Sequence, residues 1–295
     1  MADSKISLFT EDSSPSGDDL LVSVNDPAGT PTNKKVTVTN LAAYLATLAQ
    51  TLTNKTLTSP LFQGTVDGWI NANETWTYAS ADAPTFVITV PSDATTKYSV
   101  GMRIKLTQTT VKYFIITAVT ATTLTVYGGT DYTLIDAAIS ANFYSSMKSP
   151  LGFPTNPLKW TVSTTSTSDV TQNSPTNGTW YNLGSLSLSI PIGEWRVYFK
   201  GILNVNKSGG GSNYSYVALS TTNNGSTNLN LQFHNKSSTT TMDDHTTPFF
   251  LEDTLLLASK TVYYANGMEA VYTATTMSFV GTLGATMIRA VCAYL

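Results

Sequence analysis

Charge is scarce in this chain. Only 12% of its 295 residues are charged, against roughly 25% in a typical soluble domain. Arginine occurs three times, at Arg103, Arg196 and Arg289, and the formal net charge is −3. A protein that neutralises many phosphates needs a clustered basic face, and no such cluster is visible, so nucleic acid is not an expected partner. The lone cysteine, Cys292, forms no internal disulfide. No window approaches the eighteen or so consecutive apolar residues of a membrane helix, so no membrane partner is expected. The start Met1-Ala2-Asp3-Ser4-Lys5 lacks the apolar stretch of a signal peptide, giving the expectation of cytoplasmic synthesis without cell secretion. Repeats of 20 to 50 residues and Gly-X-Y tracts are absent too, which argues against a β-helix or a collagen stalk.

Chemistry-bearing residues are equally sparse. The two histidines, His234 and His245, show no paired spacing. Asp243 and His245 suit zinc or manganese, but a third ligand and a thiolate partner are missing, so no metal is expected and the segment reads as an ordinary polar loop. There are five glutamates, and in the strand-rich part of the chain Glu252 has a carboxylate neighbour in sequence, Asp253. On a strand these two point to opposite faces and cannot act as a pair across a cleft. No Gly-x-Ser-x-Gly elbow occurs, and Cys292 has no histidine near it in sequence. The glycine-rich run Ser208-Gly209-Gly210-Gly211-Ser212 lacks the Lys-Ser/Thr of a phosphate loop and reads as a hairpin tip. Neither catalytic residues nor a cofactor are expected.

Ser, Thr, Asn and Gly fill the polar positions. That profile suits strands, whose solvent face tolerates Thr and Ser, better than helices. The fold class is therefore expected to be all-β, in two β-domains preceded by an arm. The arm and its linker, residues 1–63, contain the strand-like run Asp19 to Val24, the turn Asn25 to Pro31, a second strand Lys35 to Val38, and one short helix. Thr39 or Asn40 is positioned to cap that helix, and Leu41, Tyr44, Leu45 and Leu48 form its apolar stripe. A hairpin and a helix of this size are marginal alone in water, so the segment must bury its apolar face against something else. Leu20, Leu21, Val22, Val24, Leu41, Tyr44, Leu45 and Leu48 are the expected docking residues. Leu52 to Pro60 reads as an extended linker.

Residues 64–153 show short strands at regular spacing, expected to form a small β-barrel or sandwich. The run Tyr113 to Val119 is apolar on both faces and should be central. Pro150, Gly152, Pro154 and Pro157 mark a boundary. Residues 154–295 are expected to form a sandwich of the jelly-roll kind, with Trp195, Val197 and Phe199 facing inward against Arg196, Tyr198 and Lys200. The final run from Ala285 is apolar on both faces and should lie mid-sheet. Trp69, Trp76, Trp160, Trp180 and Trp195 read as core or interface anchors.

Several of these segments resemble a known family. Asp18 to Val22, Asp26 to Thr37 and Asn40-Leu41 look like the N-terminal virion-attachment segment of tailed-bacteriophage fibre and head-fibre proteins. Leu52 to Pro60 is similar to a peptide that recurs in phage structural proteins. Asp67-Gly68-Trp69 to Tyr78 and Val100 to Leu106 resemble a small β-domain found between anchor and tip in such fibres. The last region is similar in strand layout to the trimeric jelly rolls of the C1q and tumour-necrosis-factor class. The resemblance implies a non-enzymatic, homotrimeric virion protein, held by its N-terminus on capsid, collar or tail, with C-terminal heads displayed for host attachment. The alternatives are a capsid cement or spacer without a receptor, and a polysaccharide-degrading tailspike. A host-surface glycan or protein is the expected ligand, with Tyr214, Tyr216, His234 and His245 as candidate contacts, because aromatic faces beside Asn and Ser suit sugar binding; the competing reading of the tyrosines is sheet packing.

Overall fold

The computed structural model describes residues 16–25, 32–47, 67–91, 93–209, 211–239, 244–270 and 274–295. The chain divides into two compact units, residues 1–63 and 64–295. In the first, β1 (Leu20–Asn25) pairs antiparallel with β2 (Thr32–Thr37), and α1 (Val38–Thr47) follows at once. The cap is Thr37, upstream of both residues the sequence offers. Its hydroxyl accepts from the Asn40 N–H at 3.1 Å, so the last residue of β2 also begins the helix. Thr39 instead donates its hydroxyl to the Gly17 carbonyl, pinning the helix start to the residues ahead of β1. Leu20, Leu21, Leu41, Tyr44 and Leu45 all remain exposed, Tyr44 at 62%. Val22 and Val24 lie on β1 opposite Lys35 and Asn33, and Leu48 falls outside the described residues.

The second unit is built from β-strands. Its first part comprises β3 (Ile70–Asn71), β4 (Thr77–Asp82), β5 (Thr85–Thr89), the short helix α2 (Ala94–Lys97), β6 (Arg103–Gln108), β7 (Thr110–Val119), β8 (Thr123–Tyr127) and β9 (Ser140–Ser145). They form one antiparallel sheet in the order β3-β9-β6-β7-β8-β5-β4. β7 is its middle strand, which explains apolar residues on both of its faces. Among the described residues no ladder joins β3 to β4, so the sheet stays open where a small barrel was expected. β3 has only two paired residues, too short an edge to close against β4. Ile88, Ile104, Leu106, Phe114, Ile116, Leu124 and Val126 pack with Trp76 and Tyr98 into its core.

Glu74 anchors one end of that sheet. Its carboxylate accepts from Lys97 at 2.6 Å, the Tyr98 hydroxyl at 2.8 Å and the Trp76 indole at 3.2 Å. Burial alone pushes the carboxyl up, but these bonds outweigh it and hold the group below its usual value. A depressed folded-state pKa contributes stability above the unfolded value and loses it as pH falls through the folded one. Urea unfolding of the parent and Glu74→Gln should therefore differ most near neutrality. The gap should narrow as pH drops from about 5 towards about 3, and a gap that is constant with pH would contradict this.

The remaining strands are β10 (Thr161–Ser166), β11 (Val170–Asn173), β12 (Trp180–Ile190), β13 (Gly193–Lys207), β14 (Gly211–Ser220), β15 (Gln232–Thr239), β16 (Asp244–Leu257), β17 (Thr261–Glu269), β18 (Ala274–Phe279) and β19 (Thr286–Cys292). One sheet runs β10-β19-β13-β18-β11, with β16 on the free side of β13. β19 and β18 lie end to end along one edge of β13, pairing with Trp195–Lys200 and Leu203–Lys207 respectively. β10 and β11 repeat that arrangement one strand further out. The other sheet is β12-β17-β14-β15. Trp195, Val197, Phe199, Val217, Leu219, Phe279 and Ile288 fill the space between the sheets. The final strand, β19, lies between β10 and β13, inside its sheet. β13 and β14 belong to different sheets, so Ser208 and Gly209 lead out of one layer towards the other and not into a hairpin partner, and Gly210 falls outside the described residues.

Packing is continuous through the proline-rich segment. Phe153 stacks on Trp160 with centroids 5.1 Å apart, and Tyr127 of β8 meets Trp160 and Trp195 at 5.9 and 5.0 Å. Gly129, at φ +68°, lets this contact close: a Cβ there would sit 2.6 Å from the Lys159 carbonyl oxygen. Arg103 is the polar centre of the junction. Its guanidinium donates to the carbonyls of Lys148, Gly101 and Tyr294, and lies 4.9 Å over the Phe153 ring. Lys148 reaches the Leu295 carbonyl at 2.9 Å, and Lys260 reaches Asp82 at 2.7 Å.

Cys292 closes the interior beside this junction. Burial pushes its thiol up to about 11, leaving almost no thiolate near neutrality. A maleimide or disulfide reagent at pH ~8 should label the folded chain at least ~100-fold more slowly than the urea-unfolded chain. Comparable rates would contradict the burial.

Candidate functional site

Cross-strand register assembles a row that no stretch of sequence contains. On the sheet β12-β17-β14-β15, Trp180 lies opposite Met268, Met268 opposite Tyr216, and Tyr216 opposite His234. The next row, Tyr181, Gly267, Val217 and Phe233, faces the core. Alternation therefore turns the Trp180 row outward. Its members are half-buried, except for His234, which is exposed. Tyr216 stacks on His234 with centroids 5.9 Å apart and planes at 30°. Trp180 meets Tyr216 edge-on at 6.3 Å. Such pairs add about 0.5–1.5 kcal/mol beyond buried area, enough to fix the rings before any ligand arrives.

Both sides of the row are defined. On one, Asn182, Asn266, Ala218 and Gln232 form the next outward row, and residues 221–227 fold over it. Asn266 donates to the carbonyls of Thr222 and Gly225 at 3.0 and 2.7 Å, and the Asn224 side chain accepts from the Asn182 N–H at 2.6 Å. Ser226 donates to Gln232 at 2.9 Å. The loop thus stands as an amide- and hydroxyl-bearing ridge beside the aromatic floor. On the other side lies Tyr214, opposite Lys236, whose ammonium sits 5.1 Å from the Tyr214 ring centre. The hydrogen bond with Tyr214 raises the Lys236 pKa and keeps it charged.

Of the expected contacts, Tyr214, Tyr216 and His234 come together on this face. His245 does not. It sits on β16, not in a loop, with Nε2 within 3.0 Å of Asn235 Nδ2 and 2.8 Å of Thr247 Oγ1. Asn235 follows His234 on β15 and therefore points to the opposite face, so His245 belongs to a polar seam between β15 and β16. Asp243 lies outside the described residues, and among the described residues no cluster of three metal-ligating side chains occurs. Trp180 and Met268 were not expected here. Trp180 read as an anchor like Trp76, Trp160 and Trp195, which are indeed fully buried.

A second surface lies on the outward face of the other sheet. Phe250, Lys200 and Met287 are in register across β16, β13 and β19, followed by Glu252, Tyr198 and Arg289. Tyr198, Lys200, Phe250, Met287, Arg289 and Val291 line a hollow of about 330 Å³. Phe250 and Leu256 are 59% and 78% exposed, and the buried Arg289 Nε has no hydrogen-bond partner. Glu252 on this face and Asp253 on the opposite one do not share a cleft.

No family model and no curated protein matches this chain. Among solved structures, the chain is similar to dimeric latent PorU from Porphyromonas gingivalis, at 10% identity and a TM-score of 0.26, over 75% of this chain and 24% of that one. It is also similar to the infectious bursal disease virus Gx strain structure, at 11% identity and a TM-score of 0.30, over 76% of this chain and 56% of that one. The chain thus spans less than two thirds of the length of either.

Proposed function

We propose that this chain is a non-enzymatic structural protein of a tailed-phage virion, a fibre or head decoration, held by its N-terminal arm and displaying residues 64–295 for attachment to a host surface. The exposed helix face of Leu41, Tyr44 and Leu45, together with Leu20 and Leu21 exposed on β1, carries the reading. Five large apolar side chains exposed to solvent on a hairpin strand and one short helix call for a foreign apolar surface. Capsid, collar and tail proteins are the candidate partners.

The remainder of the reading rests on the body. Taking the end-to-end strands as one, its two sheets hold strands 1-8-3-6 and 2-7-4-5 of eight, an order that supports a jelly-roll head. The hollow lined by Tyr198, Phe250, Met287 and Val291, with Lys200 and Arg289 beside them, supports self-association through that face into a homotrimer. Many copies on one particle would then strengthen individually weak host contacts. Electron microscopy of intact particles with a label at Gly209, just past the end of β13 that lies away from the Arg103 junction, tests the display: the label should lie outermost on the appendage. A label next to the particle wall would contradict it. Particles carrying the chain whose heads bind no host cell would favour a cement or spacer role.

A further inference from the structure

We infer that the outward face of the sheet β12-β17-β14-β15 is a binding platform for a neutral saccharide, with pyranose rings lying on the row Trp180, Met268, Tyr216 and His234. The inference rests on the display role proposed above and names the class of ligand for that head. The row is straight because register makes it so, each member directly opposite the next. Strand spacing of about 4.8 Å makes four strands span about 15 Å, the length of two to three hexopyranose units.

Three features select this chemistry. The floor offers aromatic faces and a thioether, which suit the apolar C–H face of a sugar ring and gain little from a charged peptide. The ridge of residues 221–227 and Asn182 supplies amides and hydroxyls beside that floor, matched to vicinal hydroxyl groups. Thr221, Thr222 and Asn223 of that ridge are exposed, so their hydroxyl and amide groups can reach a ligand lying on the floor. The third feature is charge: Lys236, drawn over Tyr214, is the one cation on the described residues of the two outward rows and their flank. A polyanionic strand needs several cations along its path, so the platform complements a neutral chain. Stacking residues already held against one another lose little freedom on binding, which favours a usable affinity from few contacts.

The test uses the full-length chain and a panel of neutral tetrasaccharides: maltotetraose, cellotetraose, chitotetraose and mannotetraose. Binding is followed by saturation-transfer NMR and calorimetry, with a twelve-residue oligothymidylate as the polyanion. At least one tetrasaccharide should bind with a Kd below about 10 mM. Trp180→Ala and Tyr216→Ala should each weaken it by about 10-fold, whereas Tyr216→Phe, which keeps the ring, should stay within about 3-fold. His234→Ala is the safeguard against misfolding, since that ring is exposed; it should weaken binding measurably at an unchanged melting temperature. Leu158→Ser, an exposed position outside both surfaces, should change nothing. Absence of saturation by all four sugars, binding that survives the alanine variants, or tighter binding of oligothymidylate would overturn the inference. Particle incorporation, read in parallel, depends on the arm, so these failures would leave the virion role standing.

Discussion

Replacing Arg103 with methionine should destabilise the body by about 3–5 kcal/mol, the largest loss expected from any single polar substitution in it. Arg103 is 1% exposed and, among the described residues, no carboxylate pairs with it; backbone carbonyls and an aromatic face compensate its charge. Burial lowers its pKa, though a guanidinium still remains protonated. Methionine preserves much of the stem volume, so the loss isolates the polar part. Removing the guanidinium strands the carbonyls of Gly101, Lys148 and Tyr294 in a water-poor junction, each at about 1–3 kcal/mol before relaxation. For a unit of this size the melting temperature should fall by about 10 °C. Arg103→Lys should lie between, because one ammonium reaches fewer of these acceptors and stacks less well on Phe153. Arg196→Met serves as the control: Arg196 is exposed and its 3.5 Å contact with Glu252 is weak, so its effect should stay within about 0.5 kcal/mol. Equal losses for Arg103→Met and Arg196→Met would show that the junction is not held as described.

The second large effect falls on assembly and leaves folding alone. Leu41→Asp together with Leu45→Asp should reduce incorporation into particles by at least 10-fold while leaving the melting of residues 64–295 unchanged. Both positions lie on one face of α1, four residues apart, and both are exposed in the free chain. Their cost therefore appears only when a partner covers them. Desolvating a carboxylate against an apolar surface costs several kcal/mol, ample for a 10-fold loss. Quantitative blotting of purified particles against total expressed chain reads the result. Undiminished incorporation would mean that the helix stripe is not the docking face.

What the sequence disclosed, and what it withheld, follows from the range of the interactions. β13 was legible because Trp195, Val197 and Phe199 alternate with Arg196, Tyr198 and Lys200, and a period of two is a local property. β7 and β19 were legible as inner strands because both faces are apolar, again within one segment. The Trp180 row was not. Its members come from strands up to 88 positions apart, from Trp180 to Met268, and register between such strands leaves no mark in either one. Trp180 also looks in sequence like the three buried tryptophans; only its partner strand turns it outward. His245 misled for a similar reason: three polar neighbours suggested a loop, while pairing with Val205 on β13 makes it strand. The expected barrel failed on closure, which depends on how the two edge strands meet and not on the alternation within any strand. The helix cap moved to Thr37 because β2 runs into α1 without a linker, leaving Thr39 free to bind the Gly17 carbonyl instead.

Residues 1–63 form a compact unit apart from residues 64–295, and the central claim divides the work along that line. The most direct test is removal of residues 1–63, with thermal unfolding of the shortened chain and its incorporation into particles measured side by side. The account predicts a cooperative transition within about 3 °C of the parent's main transition, and a chain absent from particles. A shortened chain that still assembles into particles, or one that no longer folds, would contradict it.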